Sequence, residues 1–261
     1  MDALDATLTE AASAYPGLTF SVSVRDSLGL SYDFQGDRVY HAASTMKVPV
    51  MIELFKQAEA GTFALDDSIL VENEFFSIVD SSRYSMSISE DADEAEAIYG
   101  RLGEPMPIRE LNEQMITVSS NLATNILIGL VGAENAQQTV RDLGAETMLV
   151  LRGVEDIKAF RQGLSNTATS SDLAEVLAAL MRHDIVSAAA DEEMIQVMAR
   201  QQYNSMIPRG VPDGSTVAHK TGWITGIRHD AGIVYPPDSA PYTLVILTET
   251  PTDEDGTLAY S

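Results

Sequence analysis

The stretch YHAASTMKVPV at residues 40–50 decides the fold, because strand-like patterning ends within it and helical patterning begins. Upstream, residues 19–24 (TFSVSV) alternate with a period of two, which is typical of a half-buried strand, and residues 30–34 predict a second strand. Downstream, apolar residues recur at helical spacing to about residue 202, which predicts a helical middle region. Pro49 counts against a long straight helix unless it lies within the first turn, where its missing N–H is not needed, or at a kink.

Strand patterning returns at the other end of the chain. Residues 216–219, 231–235 and 242–248 predict three strands separated by turns that contain glycine and proline. Residues 2–15 add an opening helix, which is expected to stop at Pro16-Gly17. Strands at both ends with helices between them predict an α+β, sandwich-like fold, in which one antiparallel sheet is built from both termini and carries an inserted all-helical domain.

The predicted boundaries place a sheet domain in residues 1–45 and 212–261 and a helical domain in residues 46–211, with the active-site cleft between them. Residues 77–108 interrupt the helical pattern with serines, glycines, prolines and an acidic run at 90–96. We therefore expect a loop-rich insertion at this place.

Composition excludes several classes of partner. The 261 residues carry 16 lysines and arginines against 39 aspartates and glutamates, and the formal net charge of −23 repels nucleic acids and anionic membranes. The chain has no cysteine and its 4 histidines lack metal-motif spacing, so we expect no disulfide, no metal site and no cofactor. Neither a membrane span nor a signal peptide is visible, which predicts a protein that is cytoplasmic or has already lost an export signal.

Three short motifs carry the chemistry. In Ser44-Thr45-Met46-Lys47 the serine and lysine share one helix face, and an adjacent amine activates a serine hydroxyl as a nucleophile. Ser119-Ser120-Asn121 leads into a helical segment, and Lys220-Thr221-Gly222 lies on the edge of a predicted strand. Each motif alone is weak, but the order and the contexts of all three together are specific.

These motifs resemble those of the penicillin-recognising serine enzymes, in which S-x-x-K, S-D-N and K-T-G meet around one cleft. Within that group the chain is most similar to the class A β-lactamases and related serine hydrolases, and the resemblance covers nearly its whole length. The resemblance implies a β-lactamase/transpeptidase-like fold and a small-molecule substrate that acylates a serine. It also implies a periplasmic or secreted protein, and we expect a monomer.

The resemblance implies a role for each matching residue. Ser44 would be the acylated nucleophile, Lys47 its base or proton relay, and Ser119 the group that passes a proton to the leaving nitrogen. The backbone N–H groups of Ser44 and Trp223 would form the oxyanion hole. The implied catalytic residues are Ser44, Lys47, Ser119 and Glu155, and the implied substrate-binding residues are Asn121, Lys220, Thr221, Gly222, Trp223 and Arg228.

The substrate-binding residues divide by the group that they would bind. Asn121 would bind the amide of the acyl side chain, and Lys220 with Thr221 would hold a substrate carboxylate. Arg228 is a candidate helper on the next strand, because a guanidinium binds a carboxylate through two hydrogen bonds.

The departures from the family pattern concern one residue with a mainly structural role and the residues that carry out deacylation. Ser120 replaces the aspartate of the middle motif. Glu155 stands where the deacylating glutamate is expected, but Ala159 stands in place of a water-holding asparagine. A hydrolytic water held by one carboxylate alone is less well positioned, so deacylation is the step most affected. The family usually closes with a further helix, whereas this chain reaches Ser261 soon after its last predicted strand.

Several alternatives stay open at this point. Glu155 is either catalytic or a surface acid, and Trp223 is either a wall of the cleft or a cap on apolar surface. His41 and His219 are expected to be hydrogen-bonded structural residues. His229-Asp230 cannot form a catalytic relay, because neighbouring residues on a strand face opposite sides.

β-Lactam hydrolysis through an acyl-enzyme is the function that the sequence favours. The alternatives are an esterase, a D-Ala-D-Ala peptidase-like hydrolase, and a β-lactam-binding protein that is acylated without efficient turnover.

Overall fold

Both ends of the chain contribute strands to one antiparallel sheet, as a computed structural model describes for residues 2–15, 17–87 and 93–250. The sheet has five strands in the order β2-β1-β11-β10-β9. The strands of the described residues are β1 (Thr19–Asp26), β2 (Ser31–Phe34), β3 (Tyr40–His41), β4 (Ser68–Leu70), β5 (Phe75–Phe76), β6 (Arg83–Tyr84), β7 (Pro105–Pro107), β8 (Thr167–Ala168), β9 (Thr216–Ile224), β10 (Ile227–Tyr235) and β11 (Tyr242–Glu249).

α-Helices are the main regular structure between the two groups of sheet strands, and one more precedes the sheet. Those of the described residues are α1 (Asp2–Ala14), α2 (Lys47–Glu59), α3 (Ile108–Thr117), α4 (Asn121–Val131), α5 (Ala133–Asp142), α6 (Ile157–Arg161), α7 (Ser170–Met181), α8 (Ala188–Ala199) and α9 (Ile207–Gly210). The predicted α+β class is therefore confirmed. The predicted division into a sheet domain and a helical domain stays a prediction.

The pairing of β1 with β11 joins the two ends of the chain, since Thr19 lies opposite Glu249 and Asp26 opposite Tyr242. Helix α7 packs across β1, β10 and β11 and buries one face of the sheet. A buried hydrogen bond of 2.8 Å from Ser23 to Ser170 fixes the helix against the first strand. The sheet thus forms only when both ends of the chain come together.

Helix α2 is the centre of the core and positions the first motif. Its residues from Lys47 to Phe55 are all buried, and it packs on α3, α4, α5 and α8. Pro49 is its third residue, so the missing N–H is one that has no partner within a helix. A helix this buried cannot shift without disturbing its neighbours, which makes its first turn a rigid support.

Two strand predictions were too short. β9 continues to Ile224 and β10 begins at Ile227, joined by a tight turn with Gly226 at a φ of 76°. Lys220-Thr221-Gly222 therefore lies inside β9, paired with β10, rather than on the edge of a strand. Continued pairing with β10 explains the difference, because propensity alone does not report a cross-strand partner.

The insertion at 77–108 contains the short strands β6 and β7 and a 3-10 helix, Asp93–Arg101, as well as loops. β6 pairs with β5, and β7 pairs with β4. Residues 90–92 of the acidic run, Pro16 and the end of the chain from 251 lie outside the described residues. In the part of the chain that is described, no helix is long and apolar enough to cross a membrane.

Candidate active site

The first motif forms a turn that leads directly into α2. Residues Ala43–Met46 make one 3-10 turn, and the helix begins at Lys47. Ala43 has a φ of 46°, a left-handed conformation that a residue with a side chain seldom adopts. His41 Nδ1 accepts the Ala43 N–H at 3.0 Å, and this hydrogen bond holds the strained residue in place. Ser44 follows, part-exposed on the wall of a cleft.

Ser119 lies between two buried lysines. Lys47 Nζ donates to Ser119 Oγ at 3.1 Å and to the Ser119 carbonyl at 2.6 Å, while Lys220 Nζ donates to Ser119 Oγ at 2.9 Å. Both lysines are 0% exposed. With its lone pairs accepting from two amines, the Ser119 hydroxyl has its own proton left to donate.

The electrostatics of this cluster favour proton transfer. Burial and the nearby charge of Lys47 lower the pKa of Lys220 well below its usual value, and Asp230 acts in the opposite direction. Ser119 itself has a φ of 59°, so a second strained residue stands at the site. Strongly shifted groups and backbone strain at one place are typical of an active site.

Asn121 connects the lysine cluster to Glu155. Its Oδ1 accepts from Lys47 Nζ at 2.8 Å, and its Nδ2 donates to Glu155 Oε1 at 2.8 Å. Glu155 has a φ of 62°, the third left-handed residue of the site. A carboxylate, an amide and a lysine amino group are thus joined by hydrogen bonds along one side of the cleft.

The backbone beside Glu155 is fixed by Asn125, one helical turn after Asn121 on α4. Asn125 Oδ1 accepts the Val154 N–H at 2.7 Å, and Asn125 Nδ2 donates to the Val154 carbonyl at 3.0 Å. Gly153 permits this approach, since a Cβ there would lie 2.2 Å from Asn125 Oδ1. Two residues four apart on one helix face therefore hold the loop backbone and the Glu155 side chain.

Asp156 anchors the other side of the Glu155 loop. Its carboxylate accepts from Ser77 Oγ at 2.9 Å, from the Ile78 N–H at 2.9 Å and from the Ala159 N–H at 3.1 Å. Burial raises the pKa of Asp156, but these hydrogen bonds outweigh it and the pKa is lowered overall. Ala159 is fully buried, in the first turn of the short helix that Asp156 caps.

The third motif brings β9 against the turn of the nucleophile. A Cβ on Gly222 would lie 3.2 Å from Thr45 Cγ2 and 3.3 Å from the Ala42 carbonyl oxygen, so glycine permits this close approach. Trp223 follows, 66% exposed, with the Arg228 guanidinium stacked 3.5 Å from the centre of its ring.

A cleft of about 900 Å³ is lined by four of the ten site residues predicted from sequence, namely Ser44, Asn121, Glu155 and Trp223. Lys47, Ser119 and Lys220 are joined to this wall by hydrogen bonds that run through Asn121. Gly222 lies against the turn that carries Ser44, and Arg228 stacks on Trp223. Among the described residues that line the cleft, Thr221 and Arg228 do not appear. A cavity of about 400 Å³ lies on the far side of the Glu155 loop, lined mainly by apolar side chains.

His41 and His219 are hydrogen-bonded, as the sequence led us to expect. Burial and the charges of Arg152 and His229 lower the pKa of His41 to about 4. His229 Nε2 donates to the His41 carbonyl at 3.0 Å, whereas Asp230 binds His219 Nδ1 at 2.7 Å. His229 and Asp230 therefore have different partners. Within the described residues, no cluster of histidines and acids has the arrangement of a metal site.

Comparison with known proteins identifies the family. The model of the beta-lactamase enzyme family matches residues 3–260. The chain belongs to the beta-lactamase enzyme family. This family member is 30% identical over 147 residues to a beta-lactamase of Bacillus licheniformis, covering 55% of the chain and 48% of that relative. It is 27% identical over 217 residues to a beta-lactamase of Rhodobacter capsulatus, covering 82% of the chain and 69% of that relative. The first match thus spans about half of the relative's length.

Solved structures agree with the family fold. A beta-lactamase from Sphaerobacter thermophilus has 26% sequence identity and a TM-score of 0.76, over 97% of this family member and 90% of that chain. A variant of PBP-A in an acyl-enzyme complex with penicillin G has 26% identity and a TM-score of 0.79, over 98% of this family member and 91% of that chain. The expected β-lactamase/transpeptidase-like fold is confirmed.

Sequence reasoning missed the residues that hold the others in place. Asn125 and Asp156 fix the Glu155 loop through contacts with residues 29 and 79 positions away. For Asn125 the sequence does contain a signal, because it lies four residues after Asn121 on the same predicted helix. Nothing local indicated that Asp156 would reach Ser77.

Proposed function

We propose that this protein is a serine β-lactamase, which hydrolyses β-lactams through an acyl-enzyme on Ser44. The observation that carries the proposal is the Ser119 hydroxyl, held between Lys47 and Lys220 at 3.1 and 2.9 Å beside the cleft that Ser44 and Glu155 line. Such an arrangement supplies a nucleophile, a proton path and a candidate general base in one site.

Acylation uses the first two motifs. The Ser44 oxygen attacks the β-lactam carbonyl while Lys47, as the uncharged amine, takes up the Ser44 proton. Ser119 donates its proton to the ring nitrogen, the carbon–nitrogen bond breaks, and the proton held by Lys47 replaces the one that Ser119 has lost. The N–H groups of Ser44 and Trp223 stabilise the oxyanion, which the close approach at Gly222 supports.

Deacylation uses Glu155. Its carboxylate takes a proton from a water that attacks the ester carbonyl on Ser44. The carbon–oxygen bond to Ser44 then breaks, and the proton is passed to the leaving serine oxygen, which restores both the hydroxyl and the carboxylate. Asn121 donates to Glu155 Oε1 at 2.8 Å and orients the carboxylate. Since Ala159 offers a methyl group instead of an amide, Glu155 and Asn121 are the groups that we assign to this water.

Substrate binding follows from the remaining residues. We assign Lys220 and Thr221 to the substrate carboxylate, and Asn121 to the amide of the acyl side chain. Arg228 assists at the carboxylate from its position behind Trp223, where the ring limits the directions in which the guanidinium points. We further propose a monomer that acts outside the cytoplasm, in the periplasm or after secretion.

Steady-state hydrolysis tests the proposal. Penicillins and a chromogenic cephalosporin are offered to the wild-type protein, to Ser44→Ala and to Ser13→Ala, an exposed serine on α1 that serves as the control. We expect the wild type and the control to hydrolyse both classes and Ser44→Ala to hydrolyse neither. Equal turnover by Ser44→Ala would contradict the proposal, and turnover of small esters or D-Ala-D-Ala peptides alone would replace it with one of the alternative hydrolases.

A further inference from the structure

An irregular segment between α8 and α9, residues 201–204, runs between the two elements whose side chains meet at Ser119. Its first part lies against the end of α3, which leads into Ser119. Its last residue lies against β9, which carries Lys220. The contact between Lys220 and Ser119 joins parts of the chain that are 101 positions apart, so something must fix their separation.

The first contact of the 201–204 segment is with three successive carbonyls directly before Ser119. The last carbonyls of a helix have no partner within the helix, and those of α3 are satisfied from outside. Gln201 Nε2 donates to the Ile116 carbonyl at 2.8 Å, the Gln202 N–H to the Thr117 carbonyl at 3.1 Å, and the Tyr203 hydroxyl to the Val118 carbonyl at 3.3 Å.

The second contact runs through Asn204. Its Nδ2 donates to the Gln201 carbonyl at 3.0 Å, which turns its Oδ1 toward His219 Nε2 at 3.0 Å. His219 Nδ1 in turn contacts Asp230 Oδ1 at 2.7 Å, on the neighbouring strand β10. Because His219 and Asp230 are 0% and 1% exposed, the hydrogen bond between them is protected from water and fixes the His219 ring, while the exposed Asn204 binds the other ring nitrogen from the surface.

We infer that Asn204 is a positioning residue for the contact between Ser119 and Lys220. With Gln201, it holds the end of α3 at a fixed distance from β9, and so sets the geometry in which Ser119 delivers its proton. Asn204 touches neither lysine and acts through the backbone of His219, the residue before Lys220. This inference extends the proposed function to a residue outside the cleft and rests on it.

The test compares two substitutions of Asn204 with a control in the same segment. Asn204→Leu removes the contact with His219 Nε2 and the two hydrogen bonds that Asn204 Nδ2 donates to the Gln201 and Gln202 carbonyls. Asn204→Asp keeps an oxygen for His219 Nε2 but cannot donate to either carbonyl. Gln202→Ala is the matched control, because the Gln202 side chain is exposed and its contacts run through its backbone. Acylation by a penicillin is followed in single turnovers by rapid quenching and intact-protein mass spectrometry, with Tm measured for each variant.

We expect Asn204→Leu to lower the acylation rate constant by roughly 10- to 100-fold, as a misplacement of about 1 Å does, with substrate affinity changed less than about threefold. Asn204→Asp should recover part of that loss, because it keeps the contact with His219 but not the one with the Gln201 carbonyl. Gln202→Ala should acylate at the wild-type rate. An Asn204→Leu protein that has a lower Tm but acylates at the wild-type rate would assign Asn204 a purely structural role and overturn the inference. The same loss in Gln202→Ala would overturn it as well.

Amide chemical shifts separate this inference from the proposed function. A wild-type protein that forms no adduct would contradict the proposed function, whatever Asn204 does. In that event, Asn204→Leu should still shift the amide resonances of both Ser119 and Lys220, while Gln202→Ala leaves them in place. Unchanged resonances in Asn204→Leu would overturn the inference independently of any activity.

Discussion

Gly153→Ala is the substitution that best separates the two halves of the proposed reaction. The new methyl group would lie 2.2 Å from Asn125 Oδ1 and 2.9 Å from Asn125 Cγ, which no Cβ tolerates, so the asparagine or the loop must move. Movement of either breaks the paired hydrogen bonds of 2.7 and 3.0 Å between Asn125 and Val154. At about 1 kcal/mol for each hydrogen bond, the substitution should destabilise the loop by about 2 kcal/mol.

Displacement of the loop should act on Glu155 and spare Ser44. If the carboxylate moves by about 1 Å, the deacylation rate constant should fall roughly 100-fold while the acylation rate constant stays within about threefold. Rapid-quench mass spectrometry with a penicillin measures both constants on the same sample. The variant should accumulate as the acyl-enzyme during turnover.

Gly129→Ala is the matched control, since a Cβ at this position of the same α4 helix meets no atom within 4 Å. It should stabilise the protein by roughly 0.5–1 kcal/mol through the helix propensity of alanine, and leave both rate constants unchanged. Deacylation at the wild-type rate in Gly153→Ala, with an unchanged Tm, would refute the assigned role of the Asn125 contact.

Three further predictions concern other parts of the site. The His41 pKa of about 4 lies below its usual 6.5, so the unfolded state binds the proton more strongly. The free energy of unfolding should therefore rise by up to about 3 kcal/mol as pH increases from about 4 to 6.5. Urea titrations at several pH values measure the free energy of unfolding, which should rise with pH in the wild type but not in His41→Asn. Equal pH dependences in the two proteins would contradict the assignment. Gly222→Ala places a Cβ 3.2–3.3 Å from three atoms on either side of Ser44, in Ala42, Ala43 and Thr45, and should lower the acylation rate constant roughly tenfold. Intact-protein mass spectrometry checks this, and a wild-type rate would show that the turn yields. Arg228→Gln should raise KM roughly tenfold for penicillins but not for an analogue without the carboxylate, as the loss of a charge-assisted hydrogen bond predicts. An equal change for both compounds would assign Arg228 to packing on Trp223.

The sheet and the three motifs were predictable because their signals are local. Period-two alternation at residues 19–24 and helical spacing from α2 onward are set by neighbouring residues. The motif serines and lysines were found because their spacing within each motif matches a reaction that needs them. Their meeting around one cleft was implied by resemblance rather than by the residues themselves.

The supporting residues of the site could not be predicted in the same way. Asn204 meets His219 15 positions away, and Asp156 meets Ser77 79 positions away, and neither pair leaves a periodic signal. The length of β9 depended on its pairing with β10, which is also a tertiary contact. Side-chain hydrogen bonds between distant segments are therefore the part of this site for which a single sequence gives no evidence.

The mass of the intact protein, followed over time after mixing with a penicillin, tests the central claim most directly. The account predicts an adduct of the mass of the penicillin on the peptide that contains Ser44, formed quickly and then lost as product appears. In Glu155→Gln the same adduct should form and persist, because acylation does not require this carboxylate. An adduct on another residue, or the absence of any adduct in both proteins, would contradict the account.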